Sequence, residues 1–138
     1  MSSTPEQLGH LVKRLQDRHH RQLDQALAPL GITLVQWNAL REIERHPGAS
    51  QHALAQLTFN SDQAFGTLSM RLQQRGLVER NTGDGRALIH RLTEKGRTLC
   101  TEGAAIHAQI LSLSFEPLDQ DERNLMAVLL SRLLATSE

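Results

Sequence analysis

The chain has 138 residues, enough for one domain with its own hydrophobic core. Cys100 is the only cysteine, which excludes an internal disulfide and a zinc site built from several cysteines. The 15 basic and 15 acidic side chains cancel, which excludes a uniformly basic surface. Their distribution is uneven, however, because residues 61–100 carry seven basic and four acidic side chains, whereas residues 101–138 carry two and six.

The N-terminal residues have neither the basic segment nor the apolar segment of an export signal. Charged residues interrupt every long apolar run, so the sequence predicts no transmembrane helix. We therefore expect a cytoplasmic protein without a membrane partner.

The first predicted helix starts at a capping pattern. Thr4 is its N-cap, Pro5 occupies the first helical position, and Gln7 can bond back to the cap. Apolar residues then recur at helical spacing until Pro29 and Gly31 end the helix. The apolar stripe is longer than one small domain can cover, so this helix needs a further partner surface.

Two shorter helices follow. The second predicted helix begins at another capping pattern, Thr33–Gln36, and ends at residues 46–48. Ser50 can cap the short third helix. The residues of this third helix that we expect to face inward are Ala53, Leu54 and Leu57.

A fourth helix, from Ser61 to Arg75, is predicted after a turn at residues 58–60, and Gly76 is its stop signal. Glutamine can pair with adenine, threonine can touch a thymine methyl group or a phosphate, and arginine can reach guanine or the backbone. The residues of this helix that would meet a DNA major groove are Ser61, Gln63, Thr67, Arg71 and Gln74. A merely solvated polar face is the alternative, but the helix before it and the hairpin after it favour DNA.

Two strand-like runs, residues 77–80 and 87–92, flank a glycine-rich tip. Arg86 lies where the tip rejoins the second strand, and an arginine on a protruding hairpin can enter the narrow, negative minor groove. Asp84 can hold the Arg86 guanidinium in position. The alternative is a surface ion pair without a role in DNA binding.

Two further helices, capped by Thr93 and Asp119, complete the chain. The predicted fold is mainly α with a small β-hairpin wing, a winged helix-turn-helix at residues 33–93. Residues 1–32 and 94–138 would form a helical dimerisation region within the same protomer. Because these helices are too apolar to remain exposed, we expect them to interleave with those of a second copy, which places two reading helices about one DNA turn apart. The predicted partners are thus double-stranded DNA and a second copy of the chain.

Five segments resemble the MarR family of bacterial transcriptional regulators. They are Thr33–Leu40, Leu54–Ala55, Arg71–Arg80, Asp84–Ala87 and Leu92–Gly96. The most specific part is the Asp-x-Arg of the wing followed in register by Leu-Thr-x-x-Gly at a helix start. The resemblance implies a homodimer that binds a near-palindromic operator, commonly as a repressor. It also implies that the helix at residues 61–75 enters the major groove and that Arg86 enters the minor groove.

The chain departs from the family pattern at Asp62 and Thr67, where basic residues are common, and its wing is somewhat shorter. Base preference is therefore not implied by the resemblance. Many family members release DNA when a small phenolic or other lipophilic anion enters the cleft between the dimer and reading regions. His19 and Trp37 are our candidates for that cleft. The alternative is that Trp37 is a core residue and His19 a hydrogen-bonded interface residue.

Other functions have less support in the sequence. Seven histidines prompt a metal hypothesis, but the adjacent His19 and His20 point about 100° apart on a helix, and no metal site or cofactor is predicted. No phosphate-binding loop or nucleophile motif indicates an enzyme. Two alternatives to a ligand-controlled repressor stay open: a metal-sensing regulator of the same fold, and a winged-helix module that binds another protein through the same helix.

Overall fold

Six α-helices and one antiparallel hairpin make up the part of the chain that the computed structural model describes, residues 2–82 and 88–135. The elements are α1 (Pro5–Leu27), α2 (Leu34–Arg45), α3 (Gln51–Leu57), α4 (Asp62–Gln74), β1 (Val78–Thr82), β2 (Leu88–Leu92), α5 (Glu94–Ser114) and α6 (Gln120–Leu134). A 3-10 turn, Ala28–Leu30, follows α1. The order matches the predicted one. None of the described helices has both the length and the apolar character needed to cross a membrane.

Each helix begins at a residue whose side chain accepts a hydrogen bond from a backbone N–H of the first turn. These N-cap residues are Thr4, Thr33, Ser50, Ser61, Thr93 and Asp119. Gly31 and Gly76 end the helical segments before them in a left-handed conformation, with φ of 79° and 72°. All these signals act between residues close in sequence, so the predicted helix boundaries are confirmed to within a few residues.

The core lies where α2, α3 and α4 meet the C-terminal half of α1, strand β2 and the start of α5. Its largest fully buried side chains include Trp37, Phe65, Leu27, Leu40, Leu54, Leu72 and Leu77. The prediction for α3 is partly wrong, because Ala55 is buried and Leu57 is 38% exposed. Successive helical residues are 100° apart, so a buried face centred between Leu54 and Ala55 turns Leu57 outward.

Strand β1 is longer than predicted at its far end. It continues to Thr82 rather than ending at Arg80, because Asn81 and Thr82 pair with Ile89 and Leu88 in the antiparallel register. The sequence did not predict this extension because Asn81 and Thr82 are polar residues. Backbone pairing between strands does not depend on apolar side chains.

The base of the hairpin is bound to the start of α5. The Leu77 carbonyl accepts a hydrogen bond from the Thr93 N–H at 3.0 Å, and the Thr93 hydroxyl donates to the Gly76 carbonyl at 2.6 Å. Gly96, one turn into α5, lies so close to the Leu77 carbonyl that a Cβ at this position would overlap it. The Leu-Thr-x-x-Gly pattern is therefore explained by a close contact between two backbone segments.

Apolar side chains remain exposed in the first half of α1 and along α6. They include Leu8, Leu11, Val12, Leu125, Val128, Leu129 and Leu134. Helix α6 buries none of its residues within the described protomer. Exposed large apolar side chains in this number indicate an interaction surface.

Phe59, in the turn between α3 and α4, is 97% exposed and has a φ of 59°. A left-handed conformation is costly for a bulky residue, and an exposed ring contributes little packing to offset it. Phe59→Gly is therefore expected to raise the free energy of unfolding by about 1 kcal/mol. Urea denaturation followed by circular dichroism measures this change. Gln56→Gly, at an exposed helical position of α3, is the matched control. It is expected to lower the free energy of unfolding by about 1 kcal/mol.

A Phe59→Gly protein that is no more stable than the unmodified chain would contradict this account. It would mean that the turn holds the left-handed conformation without strain.

Candidate nucleic-acid interface

Helix α4 is held rigidly from one side. Phe65 and Leu72 are fully buried beneath it, and the Ser61 hydroxyl accepts a hydrogen bond from the Ala64 N–H at 3.0 Å. The preceding turn is closed by the Asn60 N–H, which donates to the Ala55 carbonyl at 2.8 Å. The opposite face of α4 is therefore presented to solvent in a defined orientation.

The predicted reading residues lie together on that face. Ser61, Gln63, Thr67, Arg71 and Gln74 are all exposed. The first four line one concave surface of about 580 Å³, whose other wall is the start of α2 at Thr33, Val35 and Gln36. The Thr67 hydroxyl donates to the Gln63 carbonyl at 3.2 Å, and its oxygen remains able to accept a hydrogen bond. The two predicted wing residues, Asp84 and Arg86, lie outside the described residues.

A buried polar contact joins the hairpin to α4. The Nε2 atom of His90, on β2, lies 2.7 Å from the Ser69 hydroxyl, which also accepts a hydrogen bond from the Gln73 side chain at 3.0 Å. The His90 ring meets Phe65 edge-on, with ring centroids 5.6 Å apart. His90 is 4% exposed, and its Nδ1 atom has no hydrogen-bond partner among the described residues. His90 thus joins the hairpin to α4 by a buried polar contact, which the sequence pattern did not reveal.

Burial lowers the pKa of His90 below its ordinary value, and the charge of Arg80, its cross-strand neighbour, lowers this pKa further. The unfolded chain therefore binds a proton at His90 more readily than the folded chain does. The contribution of His90 to the free energy of unfolding should be constant above about pH 6.5 and should fall as the pH drops below it. Urea denaturation at several pH values measures this fall.

His90→Gln should reduce the fall in the free energy of unfolding at low pH, because glutamine can form a hydrogen bond with Ser69 without titrating. His20→Gln, at an exposed position on α1, is the control and should leave the fall unchanged. A pH profile that is the same in the His90→Gln protein as in the unmodified chain would show that His90 does not cause it. Burial also lowers the pKa values of His19 and His107, so a residual fall is expected.

The two predicted cleft residues lie where α1, α2 and α5 meet. Trp37 is 2% exposed, and its Nε1–H donates to the Cys100 carbonyl at 3.0 Å. His19 is half-buried, and its Nε2 atom lies 2.6 Å from the Ser114 hydroxyl near the end of α5. A concave surface of about 530 Å³ between α1 and α5 includes Ser114 in its lining.

Sequence reasoning missed two residues next to Trp37. The His107 ring stacks on the indole with centroids 4.5 Å apart, and the Arg41 guanidinium carbon lies 4.7 Å from the indole centroid. Burial lowers the pKa of His107, and the charges of Arg41 and Arg45 add to this effect. Gly103 lies one turn before His107 on α5 and provides the space that the indole fills, but no spacing in the sequence indicates this tertiary contact.

Within the described residues, 2–82 and 88–135, no three His, Cys, Asp or Glu side chains form a group that could hold a metal ion. Cys100 is buried, and burial raises the pKa of its thiol, so the thiolate form is disfavoured.

Comparisons with known proteins place the geometry in context. A family model described as the MarR family matches residues 30–87. The chain is 34% identical over 101 residues to the HTH-type transcriptional repressor Rv2887 of Mycobacterium tuberculosis. The aligned segment covers 72% of this chain and 73% of that protein. It is 30% identical over 135 residues to the HTH-type transcriptional repressor NicR of Pseudomonas putida, covering 96% and 85% respectively.

Solved structures of similar proteins share the fold. Rv2887 in complex with salicylic acid has a TM-score of 0.76 at 28% identity and covers 96% of this chain and 98% of that one. A mutant of MarR from E. coli in complex with operator DNA has a TM-score of 0.85 at 25% identity, covering 92% and 93%.

Proposed function

The chain belongs to the MarR family of transcriptional regulators, and from this premise we propose that it is a homodimeric repressor that binds a near-palindromic operator and is released by a small aromatic acid or phenol. We assign its site of action to the cytoplasm, where bacterial DNA lies, and assign it no catalytic role.

The observation that carries the proposal is the exposed polar face of α4. Gln63, Thr67 and Arg71 project from a helix that its buried side fixes in place, and they line a surface concave enough to receive another molecule. These side-chain types read base edges and contact phosphates. The structure of the E. coli relative contains operator DNA, which supports duplex DNA as the partner of this chain. We propose that Ser61 and Gln74 extend this contact and that Asp84 and Arg86 bring the wing to the minor groove.

The exposed apolar side chains of α1 and α6 support the proposal of a homodimer. We propose that residues 33–93 form the reading unit, and that residues 1–32 and 94–138 pair with those of a second copy. Burial of the exposed leucines of α1 and α6 would supply the driving force. A monomeric mass at micromolar concentration in light scattering would exclude this arrangement.

The region around His19 and Trp37 supports an effector site. Trp37 is buried beneath His107 and Arg41, so an anion that reaches this region would meet the Arg41 guanidinium rather than the indole. The M. tuberculosis relative has been solved with salicylic acid, an aromatic carboxylate. A ligand that draws α1 and α5 together here would change the spacing of the two reading units and disfavour DNA binding.

Selection of bound fragments from sheared genomic DNA by the purified chain tests the proposal. We expect a near-palindromic duplex to be enriched, and its affinity to fall steeply as the salt concentration rises. Repeating the selection with salicylate is expected to reduce the recovered DNA.

Three outcomes would contradict parts of the proposal. Binding without a common sequence, or without a steep salt dependence, would favour the protein-interaction alternative. Loss of the selected DNA on addition of zinc, but not of salicylate, would favour a metal-sensing regulator. If salicylate and other aromatic acids leave the amount of selected DNA unchanged, the proposal that an aromatic acid releases the repressor is wrong.

A further inference from the structure

The start of the reading helix carries an acidic side chain that is held in place from the neighbouring helix. Asp62 is the first residue of α4, and His52 lies in the first turn of α3. The Nδ1 atom of His52 lies 2.8 Å and 3.1 Å from the two carboxylate oxygens of Asp62. The histidine thus spans the turn of the helix-turn-helix and restricts the rotation of the carboxylate.

This pair is poorly explained as a stabilising contact. The two side chains are 65% and 64% exposed, and ion pairs as exposed as this contribute little to stability. An acid in the first turn of a helix gains from the helix dipole, but only modestly when it is exposed to solvent. A carboxylate on a DNA-facing helix is also repelled by the phosphates, so it lowers affinity unless it makes a specific contact.

The position of Asp62 suits such a contact. It precedes Gln63, which we place in the major groove, and it is followed one turn later by Gly66. A Cβ at Gly66 would lie 3.4 Å from the Gln51 side chain, so Gly66 faces α3. Asp62 itself lies between Ser61 and Gln63, which both line the concave surface at α4.

From these observations we propose that Asp62 is a specificity-determining residue that accepts a hydrogen bond from the N4 amino group of a cytosine in each half-site, and that His52 is its positioning residue. Aspartate accepts hydrogen bonds from cytosine and has no donor for the acceptor atoms of guanine or adenine N7. This inference rests on the proposed function, because it requires α4 to lie in the major groove.

The test is selection by the full-length chain from a pool of duplexes with a randomised central segment, followed by affinity measurements on single-base variants of the selected site. The unmodified chain should prefer cytosine at one position of each half-site. Asp62→Ala should reduce that discrimination by about tenfold or more and should bind the other variants more tightly. Asp62→Asn should change the preference at the same position to adenine, because asparagine pairs with adenine through N6 and N7.

His52 requires a separate measurement. His52→Ala should weaken the cytosine preference less than Asp62→Ala does, because the carboxylate remains but is no longer oriented. His52→Gln, which keeps a donor, should restore part of the preference. Glu44→Gln, at an exposed position near the end of α2 that does not line the concave surface at α4, is the control and should leave base preference and affinity unchanged.

The outcomes separate this inference from the proposed function. If the unmodified chain selects no sequence, the proposed function fails. If it selects a site, but Asp62→Ala and Asp62→Asn keep the same base preference at every position, the assignment to Asp62 is wrong and the repressor proposal stands. Preserved circular dichroism of each variant shows that a changed preference does not come from unfolding.

Discussion

Gly96→Ala is expected to lower the free energy of unfolding by about 3 kcal/mol, the largest stability effect we expect of a single methyl group in this chain. The new Cβ would overlap the Leu77 carbonyl, and that carbonyl already accepts a hydrogen bond from Thr93. Neither backbone segment can move alone, because the contact ties the base of the hairpin to the start of α5. DNA affinity should fall together with stability, since the hairpin base follows directly from α4. Urea denaturation measures the first effect and duplex binding the second.

Gly9→Ala is the matched control for this prediction. Gly9 is also in a helix, but among the described residues of the protomer nothing lies within 4 Å of a Cβ built on it. Its replacement should raise the free energy of unfolding by up to about 1 kcal/mol through helix propensity. If Gly96→Ala behaves like Gly9→Ala, the close approach of α5 to Leu77 is not a constraint on the fold.

Arg71→Ala is expected to weaken binding to a selected duplex by about tenfold or more, the largest single effect we expect at the reading face. Arg71 is the only cationic side chain that lines the concave surface at α4 over the described residues. If it contacts a phosphate, all duplexes should lose affinity alike and the slope of affinity against salt should fall by about one. If it contacts guanine, the loss should be confined to sites with that base. Fluorescence anisotropy at several salt concentrations distinguishes these two results.

Arg21→Ala removes the same charge from an exposed position on α1, which packs on α2 and α5, and should leave duplex binding nearly unchanged. Thr67→Ala and Arg86→Ala extend the test to the second groove residue and to the wing. Unchanged binding in the Arg71, Thr67 and Arg86 variants would rule out the reading face that we propose.

The starts of the helices were predictable because their signals are local. A hydroxyl or carboxylate cap and the N–H it binds are about three residues apart, so Thr4, Thr33 and Asp119 could be assigned without knowledge of the fold. The inward face of α3 was less predictable. In a helix of seven residues, few side chains define a stripe, and the packing of α3 on α4 decides which side is buried.

The candidate site also has features that the sequence predicted and features that it did not. The polar face of α4 follows from helical periodicity, and the structure places its residues on one exposed side. The contacts of His90 with Ser69 and of His52 with Asp62 join different elements, and no spacing in the sequence reports them. The stacking of His107 on Trp37 joins residues 70 positions apart and depends on how α5 crosses α2.

The sequence by itself determined the order of the elements, their caps and the helix-turn-helix with its hairpin, because these depend on periodicity and on bonds between near neighbours. Its motifs also showed the resemblance to the MarR family. Only the tertiary structure decided which polar side chains are paired. It showed that Asp62 is held by His52, that His90 joins the hairpin to α4, and that Gly96 makes room for a carbonyl. Such contacts are set by the angles and distances at which packed elements meet, and those are properties of the whole core.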